Sequence, residues 1–174
     1  MRQPPGGWLI TDTAQLHPRV RRLYDEWRRI HPSEGGLPGR QHFDPATVPD
    51  VLPNLRLIEV HRAPLRLRYR LLGSRVDVVH GRNLANQWLD EAHAGDPNLA
   101  NLLREYMRVV ESGRPSWRRG VPWVVPEPEC ATVEVLRLPL ARDGTTVDMI
   151  LGMSIYFGAS GREVNTTLHR VFGY

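Results

Sequence analysis

The strongest constraint on how this chain can fold is a strict alternation in residues 65–71. Leu65, Leu67, Tyr69 and Leu71 alternate with Arg66, Arg68 and Arg70, which predicts a strand with one apolar face and one cationic face. A second β-prone run, Leu55 to Val60, precedes it, and the link His61-Arg62-Ala63-Pro64 is short enough for a hairpin. Gly73 then breaks the strand, Arg75 to His80 has the composition of a helical turn, and Gly81 breaks the chain again. Upstream, Asp44 and Pro45 supply a helix cap and a first-turn proline, predicting a short helix from Pro45 to Leu52 that leads into the hairpin.

Downstream, Leu84, Trp88 and Leu89 support one or two helical turns within Asn83 to Ala92. Asp96-Pro97 opens a stronger helix in which Leu99, Leu102, Leu103, Tyr106, Val109 and Val110 form a broad apolar face, stopped at Gly113. Three β-prone stretches follow, Trp117 to Val125, Ala131 to Leu140 and Val147 to Phe157, with an Asp143-Gly144 turn between the last two. They predict an antiparallel meander. In the last of them Val147, Met149, Leu151, Met153, Ile155 and Phe157 line one face, which is expected to meet the core, while Asp148, Gly152 and Ser154 lie opposite.

Near the N-terminus, residues 1–7 are rich in Pro and Gly and are expected to fray. Asp12 or Thr13 can cap a first helix, or Pro18 can open it. Val20, Leu23, Tyr24, Trp27 and Ile30 fall at helical spacing and give an arginine-rich helix one apolar stripe. That stripe packs on its own domain or pairs with a second copy. His31 to Arg40 reads as a linker, giving three parts: a helix and linker over 1–37, a core domain over 38–158 and a tail over 159–174.

Composition narrows the class. A chain of 174 residues is one domain, and an apolar fraction of 41% with 24% charged residues belongs to a soluble globular protein. With no apolar run of membrane-spanning length and no signal-peptide layout, a cytoplasmic setting is expected. One cysteine, Cys130, excludes an intrachain disulfide, and its acidic neighbourhood disfavours a thiolate. The net charge of +4 invites a nucleic-acid reading. All 23 basic residues are arginine, however, and no arginine run is interleaved with stacking aromatics, so a solvated surface is the favoured explanation.

The order of these elements, and several words within them, resemble a PAS-like family found in bacterial standalone PAS proteins. The words are Arg40 with Phe43-Asp44-Pro45, Arg68-Tyr69-Arg70-Leu71-Leu72-Gly73, Gly81-Arg82-Asn83-Leu84, Leu89-Asp90-Glu91, and Leu138-Pro139-Leu140 before Asp143-Gly144. They cover residues 38–157, and Asn86 stands where the family often has glycine. The resemblance implies an α+β fold with a five-stranded antiparallel sheet, short helices on one face and an extra N-terminal helix. It implies a standalone sensory module, with no kinase or cyclase output region, that binds a small ligand, dimerises or engages a protein partner.

On that reading Tyr69, Leu84, Trp88, Tyr106, Met149, Leu151 and Met153 are the candidate ligand-binding residues between sheet and helices, with ordinary core packing as the competing explanation. Homodimerisation is expected through the N-terminal helix, beside an unidentified signalling partner. Leu84 occupies the place of the adduct-forming cysteine of flavin-binding light sensors, and 98–112 carries no axial histidine for heme, so neither cofactor is expected. Metal-ligating spacings and glycine-rich phosphate loops are lacking. A small α+β enzyme is the alternative class, and Asp90-Glu91 with His93 is its candidate acid/base group. Asp90 or Glu134 pointing into a cavity would favour it, although the non-enzymatic reading is preferred.

Overall fold

The computed structural model describes residue 10, residues 12–124 and residues 130–164. The expected N-terminal fraying, the acidic loop before Cys130 and most of the tail fall outside these residues, whereas the first meander strand, expected to run to Val125, ends at Gly120. In chain order the elements are α1 (Pro18–Arg29), β1 (Leu55–His61), β2 (Arg66–Leu72), α2 (Ser74–His80), α3 (Leu89–Ala92), α4 (Leu99–Ser112), β3 (Ser116–Gly120), β4 (Thr132–Leu140) and β5 (Met149–Phe157). The strands form one antiparallel sheet in the order β2-β1-β5-β4-β3, so the last three are the expected meander and the hairpin joins it through β1. None of the helices among the described residues is long and apolar enough to cross a membrane.

The helix expected from Pro45 to Leu52 is instead two 3-10 turns, Pro45–Thr47 and Leu52–Asn54. Val48 precedes Pro49 and takes an extended φ of −135°, because a residue before proline is pushed out of the helical region. The second turn presses its carbonyls against Gly73. A β-carbon there would lie 2.3 Å from Leu52 O, so only glycine permits this approach.

The alternation in β2 is broken by a bulge. Ile58 faces Tyr69 but Leu57 faces Leu71, leaving Arg70 as the extra residue and turning Leu71 to the opposite side. Leu67 and Tyr69 therefore reach the core, whereas Leu71 is half exposed and Leu65 lies exposed at the hairpin end. The arginine face is not bare: Arg68 pairs with Glu59, and Arg66 with Asp90 and Glu91.

Both faces of the sheet are covered. On one, the stripe of α1 (Val20, Leu23, Tyr24 and Trp27) packs on Leu136, Leu138, Leu151, Met153 and Ile155. Trp27 Nε1 donates to the Pro139 carbonyl at 2.9 Å, fixing the helix to β4. Each of those buried side chains contributes on the order of 2 kcal/mol. Of the two fates open to this stripe, the structure shows packing on its own sheet. On the other face, α4 and the α2–α3 region pack on Ile58, Val60, Leu67, Tyr69 and Ile150.

Candidate functional site

A strand covered on both sides should read as nearly continuous apolar sequence. β1, β4 and β5 depart from this at Glu59, His61, Thr132 and Glu134, and also at Arg56, Arg137, Gly152 and Ser154, the last four of which lie on one face. Arg56 pairs with Gly152, and Gly152 with Arg137, so two arginines flank a glycine in one row across three adjacent strands. Ser116 of β3 extends the row beside Arg137. Arg56 reaches over Gly152 and its Nη1 donates to Ser154 Oγ at 2.7 Å. Arg137 lies with its guanidinium carbon 4.9 Å from the centre of the Tyr106 ring, which α4 places over the sheet.

Between this row and α4 lies a cavity of about 40 Å³. Tyr69, Tyr106 and Tyr156 contribute aromatic wall, His80 comes from the end of α2, and Arg118, Trp123 and Val124 close the β3 side. His80 and Val124 also line an adjoining outer groove of about 410 Å³, with Arg82, His93 and Asp96.

The charge balance of the cavity is lopsided. Arg137 is 1% exposed and Arg56 7%, and a guanidinium does not lose its proton in a protein. The one carboxylate within salt-bridge distance of Arg137 among the described residues is Glu105, with Oε2 4.0 Å from Nη1, too far for a hydrogen bond. Arg56 Nε, Arg137 Nε and Arg137 Nη1 are buried without a hydrogen-bond partner among the described residues. Burial lowers the Arg137 pKa, which expresses the cost of holding that charge out of water. Burial also raises the Tyr69 and Tyr156 hydroxyls, keeping both protonated. Desolvation, with help from neighbouring charges, pulls His80 down to about 3 and His93 to about 4, so both imidazoles are neutral near pH 7. His93 Nε2 shares a 2.8 Å hydrogen bond with Tyr69 OH.

Five antiparallel strands, short helices and a long helix enclosing a cavity on one face agree with the known sequence family that the chain matches. A family model for the PAS domain covers residues 15–155. The chain belongs to the PAS domain family. No curated protein and no solved structure matches it. The matched span includes α1, so the helix on the reverse face lies within the PAS domain's family match.

The PAS domain brings together only part of the expected ligand-binding set. Tyr69 and Tyr106 line the cavity. Leu84 is fully buried among the side chains of β2, α3 and α4, as core filling. Trp88 sits at the sheet edge, with the guanidinium carbons of Arg66 and Arg68 4.3 Å and 5.7 Å from its ring centre, and bridges to β2. Met149, Leu151 and Met153 belong to the opposite face under α1 and cannot reach the cavity. The face of β5 expected to meet a ligand is the one that meets α1, and the polar side carrying Gly152 and Ser154 meets the cavity.

The candidate acid/base group is likewise divided. Asp90 and Glu91 are engaged by Arg66, while His93 is turned inward to Tyr69. Glu134 is fully buried but on the α1 side, where its Oε1 accepts from the His17 amide at 2.9 Å and from Trp117 Nε1 at 3.0 Å. Asn86 holds a φ of +65°, a left-handed conformation that glycine adopts without steric cost and asparagine more readily than most residues. No group of three or more potential metal ligands assembles among the described residues.

Sequence reasoning missed Arg56, Arg137, Gly152 and His80. The available signal was a charged residue inside each of two apolar runs, Leu55-Arg56-Leu57 and Leu136-Arg137-Leu138.

Proposed function

We propose that this PAS domain is a non-catalytic sensory or regulatory module that binds a small molecule between the sheet and α4 and acts through contact with a protein partner. The observation that carries this reading is the cavity itself, placed between sheet and long helix and lined by buried arginines of which Arg56 Nε, Arg137 Nε and Arg137 Nη1 lack partners among the described residues. Its volume favours a solute of a few heavy atoms over a flat macrocycle or flavin. The non-catalytic part is supported by the carboxylates. Asp90 and Glu91 are held at the rim and Glu134 at the start of α1, away from any shared reaction centre. With the apolar stripe of α1 occupied inside the chain, contact with a partner or a second copy falls to other surfaces, including the exposed arginine side of that helix.

The test is native mass spectrometry of the freshly purified full chain, paired with light scattering before and after the bound molecule is removed. A small released mass and a change in association on its removal are the expected results. The chain mass alone, with no metabolite raising the melting temperature, would sink the sensing reading.

A further inference from the structure

The row Arg56-Gly152-Arg137 says what kind of molecule the cavity takes. Two permanent cations are held on one wall, and among the described residues the one carboxylate within 4.0 Å of either is Glu105, beside Arg137. A buried guanidinium without its hydrogen bonds is strongly destabilising unless something supplies the missing acceptors. The remaining polar wall offers protonated tyrosine hydroxyls, the Ser154 hydroxyl, a neutral imidazole and a third guanidinium, Arg118, none of which supplies the missing negative charge. An apolar solute would leave Arg56 Nε, Arg137 Nε and Arg137 Nη1 as they are, and a cation would be repelled. Only an oxyanion supplies both the acceptors and the charge.

We propose that Arg56 and Arg137 clamp the oxyanion of a small carboxylate or phosphate in the cavity that they line with Tyr106. This rests on the sensing role proposed above and specifies its ligand. Planar, forked donors suit carboxylate and phosphate alike. The absence of a side chain at Gly152 lets Arg56 cross β5 to the cavity it lines, since even a β-carbon there would collide with it. A cavity of about 40 Å³ holds only a small anion or the anionic head of a larger metabolite. The body of such a metabolite would leave past His80 and Val124 into the outer groove.

The experiment is thermal unfolding and calorimetric titration of the full chain in a chloride buffer, with acetate, succinate and inorganic phosphate added against sodium chloride at matched ionic strength. A saturable rise in melting temperature with an oxyanion but not with chloride is expected. Response to phosphate alone or to the carboxylates alone separates the two sources. Arg137→Met should remove the response while melting no lower than the parent protein in chloride. Should that variant fail to fold, the arginine Nε–Hε resonances of the parent protein provide the readout, with those of Arg56 and Arg137 moving on titration. A neutral or cationic molecule found in the cavity would overturn the oxyanion assignment and leave sensing intact. Silence towards all the anions, with no molecule co-purifying, would overturn both.

Discussion

A β-carbon at position 152 would sit 2.8 Å from both Cγ and Nε of Arg56, so the arginine lies across space that only glycine leaves open. Gly152→Ala should therefore displace Arg56, weaken its bond to Ser154 and destabilise the fold by about 1–3 kcal/mol, as overpacking does. Shortening the arginine removes the collision. In a double-mutant cycle, the cost of Gly152→Ala measured by urea unfolding should largely vanish in an Arg56→Ala background. Equal costs in the two backgrounds would show that the two residues do not compete for this space.

Stability should fall as the solution is made mildly acidic. His80 and His93 have folded pKa values of about 3 and about 4, below the ordinary 6.5, and burial lowers His17 as well. Protons then bind the unfolded chain more readily, so this contribution is complete above about pH 6.5 and is lost as pH drops towards the folded values, at roughly 1.4 kcal/mol per unit for each histidine. Carboxylates held low by the fold, such as Asp143 at about 2 beneath the Thr145 and Thr146 amides, matter only at lower pH. Urea midpoints at about pH 7.5, 6 and 5 should descend, and His80→Gln with His93→Gln should flatten the descent. A parent profile already flat across that window would contradict the buried neutral state of both rings.

Glu134 ties the start of α1 to the sheet. Glu134→Ala strips the His17 amide and Trp117 Nε1 of their acceptor and should cost about 2–5 kcal/mol, since each abandoned buried donor costs about 1–3 kcal/mol. Glu134→Gln keeps a carbonyl oxygen there and should lose less than half as much. Comparable losses for the two variants in urea unfolding would mean that the charge, through Arg119 at 3.9 Å, matters more than the acceptor.

Trp27 decides whether α1 belongs to the domain. Trp27→Ala removes a 5% exposed indole and its bond to Pro139 and should destabilise the fold by about 3–5 kcal/mol, independently of protein concentration. A helix whose stripe served a dimer would instead give a melting temperature that depends on concentration in the parent protein and not in the variant. Unfolding at two protein concentrations separates these cases.

The hairpin, the long helix and the meander were legible because each carries a period, two for strands and 3.6 for helices, that survives in one sequence. The bulge at Arg70 was not, because inserting one residue leaves the letters alternating while the pairing slips. The cavity was misplaced for a related reason. Alternation in β5 sorts Leu151 and Met153 from Gly152 and Ser154 without saying which set meets which helix, and the sequence alone offers the more apolar set to the ligand. Once α1 occupies that side, the polar set inherits the cavity, and Arg56 and Arg137 join it from strands whose neighbours in sequence gave no hint of their proximity.

Because α1 rests on the reverse of β4 and β5, the strands that carry Arg137 and Gly152, the receiving surface and the helix are separated by the thickness of a single pleated layer. Successive residues of β5 look alternately at the cavity and at α1, so a backbone shift under one of them is also a shift under the next. In such an arrangement no hinge or tether is required for occupancy on one side to be felt on the other.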